Sequence, residues 1–209
     1  MGTETLSRLA MLARGYGFAK ETGARDGRYR GYDMPPHRVE RRIGAAEVRF
    51  CDAHVVAEVR ANGPRDAALS QGFGRLVRYI LGDNASGQEV AMTVPVTQRA
   101  VAGAARDWSV TFAMPPDLDA AALPRPDDPR VTITRVPAER RIVLGFSGRA
   151  TEARTMAMAE ELRGIARAAG LAVAGPPVFL FYDDPFTLPW NRRNEVAFSL
   201  ADGVVPGCH

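Results

Sequence analysis

Apolar residues alternate with polar ones in several short runs of the chain and recur every three or four residues in two longer ones. Glu47 to Val59 reads as extended, but its apolar parity switches. Val48 and Phe50 fall on even positions and Val55, Ala57 and Val59 on odd ones, which predicts a bulge or break near Cys51–Asp52. Asn62-Gly63-Pro64 then opens a helix, its proline placed where a missing N–H costs nothing, and Gly82 closes it just past Leu81. Strands are predicted at 89–98 and 108–114. The first puts Val90, Met92, Val94 and Val96 on one face and Pro95 on the other; proline cannot donate to a ladder, so it marks an edge strand or a bulge. PPDLDAAALPRPDDP is a proline-rich loop. Beyond it the pattern predicts strands near 130–136 and 140–147, a helix from about Thr151 to Ala169 stopped by Gly170, and strands at 177–183 and 194–200.

The two helices share a spacing: Leu69, Phe73, Leu76, Ile80 in the first and Met158, Leu162, Ile165, Ala169 in the second. Each lies in the order strand, helix, strand, strand, which predicts a duplicated α+β unit. Two such units either close into a distorted barrel or pack as one curved sheet. With 209 residues and 46% hydrophobic content, one domain is expected, bounded at 38–202, with an extension at 1–37, partly helical or irregular, and a tail at 203–209.

A net charge of only +3, with the arginines scattered, gives no contiguous basic stripe of the kind nucleic acid requires. Cys51 and Cys208 make no disulfide framework and no zinc spacing. Leu9 to Ala13, cut by Arg14, is too brief for a signal-peptide core, and no run approaches the ~20 apolar residues of a membrane span, so a cytoplasmic location is expected. GxSxG, Walker and HExxH patterns are absent, and His37, His54 and His209 have no nucleophile or carboxylate partner at a recognisable spacing, so no catalytic residue is assigned.

One flank of the first helix offers a binding surface. Ser70 and Gly74 make a shallow depression, Val77 and Leu81 give it apolar walls, and Arg78 at the rim suits a carboxylate. The competing reading is plain packing, with Val77 and Leu81 under a neighbouring loop, Gly74 easing a close approach and Arg78 solvated. A second aromatic surface lies in PPVFLFYDDPFTLPWNRRNEVAFSL, where Phe179, Phe181, Tyr182, Phe186 and Trp190 either cover a flat ligand or finish the core. In the latter case Arg192 or Arg193 pairs with Glu195, Asp183 or Asp184. His54 is a candidate metal or haem ligand, weighed against an ordinary surface histidine on a strand.

AMTVPV after a helix ending RYILGDN, then WSVTFAMP, LPRPDDPRVTI, RIVLGFSGRA, and YDDP followed by RRNEV resemble, in order and spacing, the SOUL haem-binding family over about Val39 to Leu200. The resemblance implies an α+β fold of two pseudo-repeated βαββ halves forming a distorted eight-stranded barrel flanked by two helices. It also implies non-covalent binding of haem or another tetrapyrrole in an apolar cleft beside the first helix. By position, Ser70, Phe73, Gly74, Val77, Arg78 and Leu81 line that cleft, with Tyr182 to Trp190 in the late loop. The chain departs from the family at one point. Some members hold iron through a histidine two residues before a glycine, where this chain has Arg42 before Gly44; binding then rests on face contacts and propionate pairing, or on another ligand such as His54. The resulting expectation is a carrier or buffer without chemistry of its own. The alternatives are an effector-binding or protein-interaction module, to which the family's fold is similar, and a tetrapyrrole-modifying enzyme.

Overall fold

Parity and turn residues place the strands where the computed structural model has them, with informative exceptions. It describes residues 27–103, 106–184 and 186–201; the predicted N-terminal helix, Pro185, Cys208, His209 and the tail 203–209 lie outside these. A small hairpin, β1 (Arg28–Tyr29) and β2 (Tyr32–Asp33), is followed by β3 (His37–Ile43), β4 (Ala46–Cys51), β5 (His54–Asn62) and α1 (Arg65–Ile80). Then come β6 (Val96–Ala100), β7 (Asp107–Ala113), β8 (Val131–Val136), β9 (Glu139–Phe146), α2 (Glu152–Ala168), β10 (Val173–Phe181) and β11 (Asn194–Leu200). Among the described residues the fold is α+β, with two helices and one nine-stranded antiparallel sheet in the order β3-β4-β9-β11-β10-β6-β7-β5-β8.

The sheet is open. Both edges of β4 are taken, by β3 and β9, so β8 has no free β4 edge to close onto, and the barrel implied by the resemblance is replaced by a single curved sheet. The unforeseen strand is β3, whose centre Arg38–Arg42 is exposed and charged, a composition suited to an edge. The break at Asp52–Ala53 has a clear cause: β4 pairs at one end of the sheet and β5 at the other, so the chain changes partners there, and the parity switch keeps Val48 and Val55 both on the helix-covered face.

Both helices pack on the convex face. There α1 covers Val55, Ala57 and Val59 of β5 and Val110 and Phe112 of β7, while α2 covers Ile142, Leu144, Phe179, Val196 and Phe198. The buried side of α1 is Arg65, Ala68, Gly72, Leu76, Val77, Tyr79 and Ile80, so the arc is rotated from the predicted one and Leu69 and Phe73 are only partly buried. Gly72 explains the rotation, since a Cβ there would lie 2.6 Å from Val110 Cβ, and the helix sits directly on β7.

The predicted strand at 89–98 is shortened to Val96–Ala100. Upstream, the backbone donors go elsewhere: Val90 N bonds Ile80 O and Val94 N bonds Asp33 O, both at 2.9 Å. Thr93 Oγ1 donates to Ala113 O at 2.6 Å, and the Val94–Pro95 peptide is cis. Pro95 is thus a buried turn residue at the start of β6 rather than the outer face of a strand. No helix among the described residues is long and apolar enough to cross a membrane.

Candidate functional site

The flank of α1 singled out by its small residues is partly open. Ser70 is exposed, its hydroxyl donating back to Asp66 O at 2.9 Å. Phe73 and Gly74 are half-buried, and the Phe73 ring meets Phe112 edge to face at 5.5 Å. Val77 is fully buried, in one core cluster with Val90 and with Leu81, Met92 and Leu118 packed against it. The lower part of the predicted shelf is therefore filled by the protein's own 90–92 and 118–123 segments, and its open part is Ser70, Phe73 and Gly74.

Arg78 faces a recess of about 420 Å³ lined by Arg75, Arg78, Asp83, Asp128 and Arg130 among others. Its guanidinium is half-exposed and lies 3.8 Å from both Asp83 and Asp128, outside hydrogen-bonding distance. Asp128 is held instead by Arg130 at 2.8 Å and Arg75 at 2.7 Å, whose hydrogen bonds keep its carboxyl well below the usual carboxylate range. Arg78 is thus the arginine of this recess that is held only by longer ion pairs, to Asp83 and Asp128, and by no short hydrogen bond to a carboxylate. Along the helix axis Ser70 and Arg78 are about 12 Å apart at the standard rise.

Tyr182 and His54 do not join this surface. Val178, Leu180 and Tyr182 share the concave side of the sheet, opposite α1, and His54 lines the same concave recess. A porphyrin lying on α1 is therefore out of reach of His54. The imidazole Nδ1 sits 2.9 Å from Asp52 O, a geometry in which Nδ1–H donates. Burial pushes its pKa down, so it is held neutral. No group of three or more His, Cys, Asp or Glu able to hold a metal occurs among the described residues.

Trp190 lies in a short 3-10 turn (Pro189–Asn191) and is 69% exposed, beside exposed Phe186 and Leu188. Asp184 braces this loop by accepting from the backbone N–H of Phe186 and Thr187. Gly148 N donates to Pro189 O at 2.9 Å, while Arg65 at the start of α1 donates to Ala150 O at 2.8 Å. The 148–150 segment thus links the Trp190 loop to the Ser70 end of α1.

Of the network on the concave side, sequence reasoning offers the Arg193–Glu195 pair, which forms, and misses Arg49 and the Tyr182 contact. Glu195 is 2% exposed and receives Arg49 Nη1 and Nη2 at 2.9 and 3.1 Å, Arg193 Nη2 at 2.7 Å and the Tyr182 hydroxyl at 2.7 Å. Burial pushes its carboxyl up, but Arg49 and Arg193 outweigh that and hold it at about 2. Burial, then the Glu195 charge, pushes the Tyr182 hydroxyl well up, so it stays a neutral donor. Local spacing in RRNEV reveals the Arg193 pair; Arg49 is 146 residues away and only the fold brings it in.

The architecture defines the class first. The chain is similar in fold to the EcmrR C-terminal domain (12% identity, TM-score 0.59, covering 75% of this chain and 96% of that one). It is similar also to a conserved protein from Listeria innocua (13% identity, TM-score 0.60, covering 75% and 92%). The chain belongs to the SOUL heme-binding protein family, whose model matches residues 32–199. It is 29% identical over 157 residues to Heme-binding protein 1 of Sus scrofa and 28% identical over 155 residues to that of Mus musculus, each match covering 72% of this chain and 81% of the relative.

Proposed function

We infer that the protein binds haem or a related tetrapyrrole non-covalently, as a carrier or buffer, with the macrocycle against the open flank of α1. Family membership over residues 32–199 is the observation that carries this reading. The residues present fit such a ligand in part. Ser70, Phe73 and Gly74 leave room for a flat face, and Arg78, half-exposed and held only by 3.8 Å ion pairs to Asp83 and Asp128, can turn its guanidinium to a propionate. Trp190, exposed on a braced loop, supplies a second apolar surface toward the Ser70 end. This donor set contains no histidine, so affinity rests on face contacts and charge pairing, and iron-free porphyrin binds about as well as haem. In this reading the two halves are a duplicated unit: β5-α1-β6-β7 and β9-α2-β10-β11 meet at the β6–β10 pair and put both helices on the convex face.

The test is a titration with haemin followed by Soret absorption and tryptophan fluorescence. Arg78→Glu is expected to weaken haemin by about tenfold, which corresponds to ~1.4 kcal/mol, and to change haemin dimethyl ester little. Equal losses for acid and ester contradict the propionate role of Arg78.

A further inference from the structure

The concave face holds a second recess, on the opposite side of the sheet from α1. Its volume is about 260 Å³, below the ~300–1,000 Å³ of sites for drug-sized ligands, so it suits a molecule smaller than a porphyrin. Its floor is apolar and ordered: Val56, Ala113, Val143, Val178, Leu180 and Ala197 all line it and all are buried. All nine strands, β3 to β11, contribute, so the curved sheet forms its wall. Strands position most of the lining, and the 34–36 segment, Pro95, Pro137 and Tyr182 complete it.

The charges in the wall decide what this recess accepts. Arg49, Arg99, Arg135 and Arg141 line it with Glu58 and Glu139. Glu139 is engaged by Arg141 at 2.6 Å, and Glu58 accepts from Ser109 Oγ at 2.6 Å. Arg49 is held by Glu195 and Glu47. Glu195, the buried carboxylate behind this wall, is thereby committed to two arginines and a tyrosine and has nothing left for a cation. Arg99 and Arg135 remain exposed, with no side-chain hydrogen bond or ion pair among the described residues. Of these, Arg99 shares the inward parity of Thr97 on β6, alongside Val178. With Glu139 and Glu195 paired to arginines and Glu58 held by the Ser109 hydroxyl, the apolar floor beneath the free Arg99 guanidinium is complementary to an apolar body carrying one negative charge.

We propose that this recess binds a small apolar carboxylate, at a site separate from the tetrapyrrole surface and independent of it. The probes are 2-naphthoate and the cation 2-naphthylmethylammonium, which share a body and differ in charge, titrated into the full chain by calorimetry with haemin titrated in parallel. 2-Naphthoate is expected to bind saturably at one per chain and the ammonium not at all. Arg99→Glu, a surface substitution on a folded strand, is expected to raise the naphthoate Kd at least tenfold and leave haemin binding unchanged. Arg78→Glu is expected to do the reverse. Binding of the ammonium as tight as that of the carboxylate, an unchanged naphthoate Kd in Arg99→Glu, displacement of naphthoate by stoichiometric haemin, or no naphthoate binding up to millimolar concentration overturns the proposal. Failure of haemin alone to bind counts against the tetrapyrrole reading and leaves this one standing.

Discussion

Glu195 shows how far a single residue of the concave face depends on its partners. Its charge is buried and compensated by two guanidinium groups, so removing it leaves Arg193 without its carboxylate and Arg49 with Glu47 alone. Glu195→Gln is expected to lose about 3–5 kcal/mol in urea denaturation at neutral pH. The carboxyl titrates at about 2 in the fold against an ordinary 4.5. A pKa lowered by folding means a stabilisation fully present above about pH 4.5 and lost as the pH falls toward 2. The natural protein should therefore lose this increment between those values, while Glu195→Gln shows a flatter profile across the same window. A profile as steep in the variant as in the natural protein contradicts the assignment.

At the level of elements, the glycines of the two helices separate packing from propensity. Gly72 of α1 sits against Val110, so Gly72→Ala forces the helix off β7; overpacking of about 1–3 kcal/mol exceeds the helix-propensity gain of roughly 1 kcal/mol. Gly164 of α2 is exposed and has nothing within 4 Å of an added Cβ, so Gly164→Ala is expected to gain up to about 1 kcal/mol. Opposite shifts of the urea midpoint check both. Thr151 caps α2 by accepting from Arg154 N, and Thr151→Ala is expected to cost about 1 kcal/mol in the same assay.

These elements also show what was legible in sequence. The helix start near Thr151, the stop at Gly170, the break at Asp52 and the alternation of Asn194–Leu200 are local signals, and each coincides with an observed boundary. The segment before Pro95 alternates like a strand, yet its backbone donors are drawn away by Ile80 and Asp33, partners no local pattern reveals. For the same reason β3 was invisible: its run of charges reads as loop until β4 supplies a ladder. Ser70, Gly74 and Arg78 could be placed on one helical flank from spacing alone. The burial of Val77 beneath 90–92 and the position of Tyr182 on the other face depend on tertiary packing.

For the whole molecule, one curved sheet presents two chemically different surfaces. The convex side carries both helices and the half-exposed Arg78; the concave side encloses an apolar floor with its acid neutralised. The two are separated by the thickness of the sheet, so charge reversals at Arg78 and at Arg99 should act independently, as distant sites do. The most direct measurement is haemin titration of the full chain beside Arg78→Glu. The prediction is a saturable Soret change at one haemin per chain with a Kd of about micromolar or tighter, shifted about tenfold by the substitution. A change that never saturates, or that is identical in the two proteins, contradicts it.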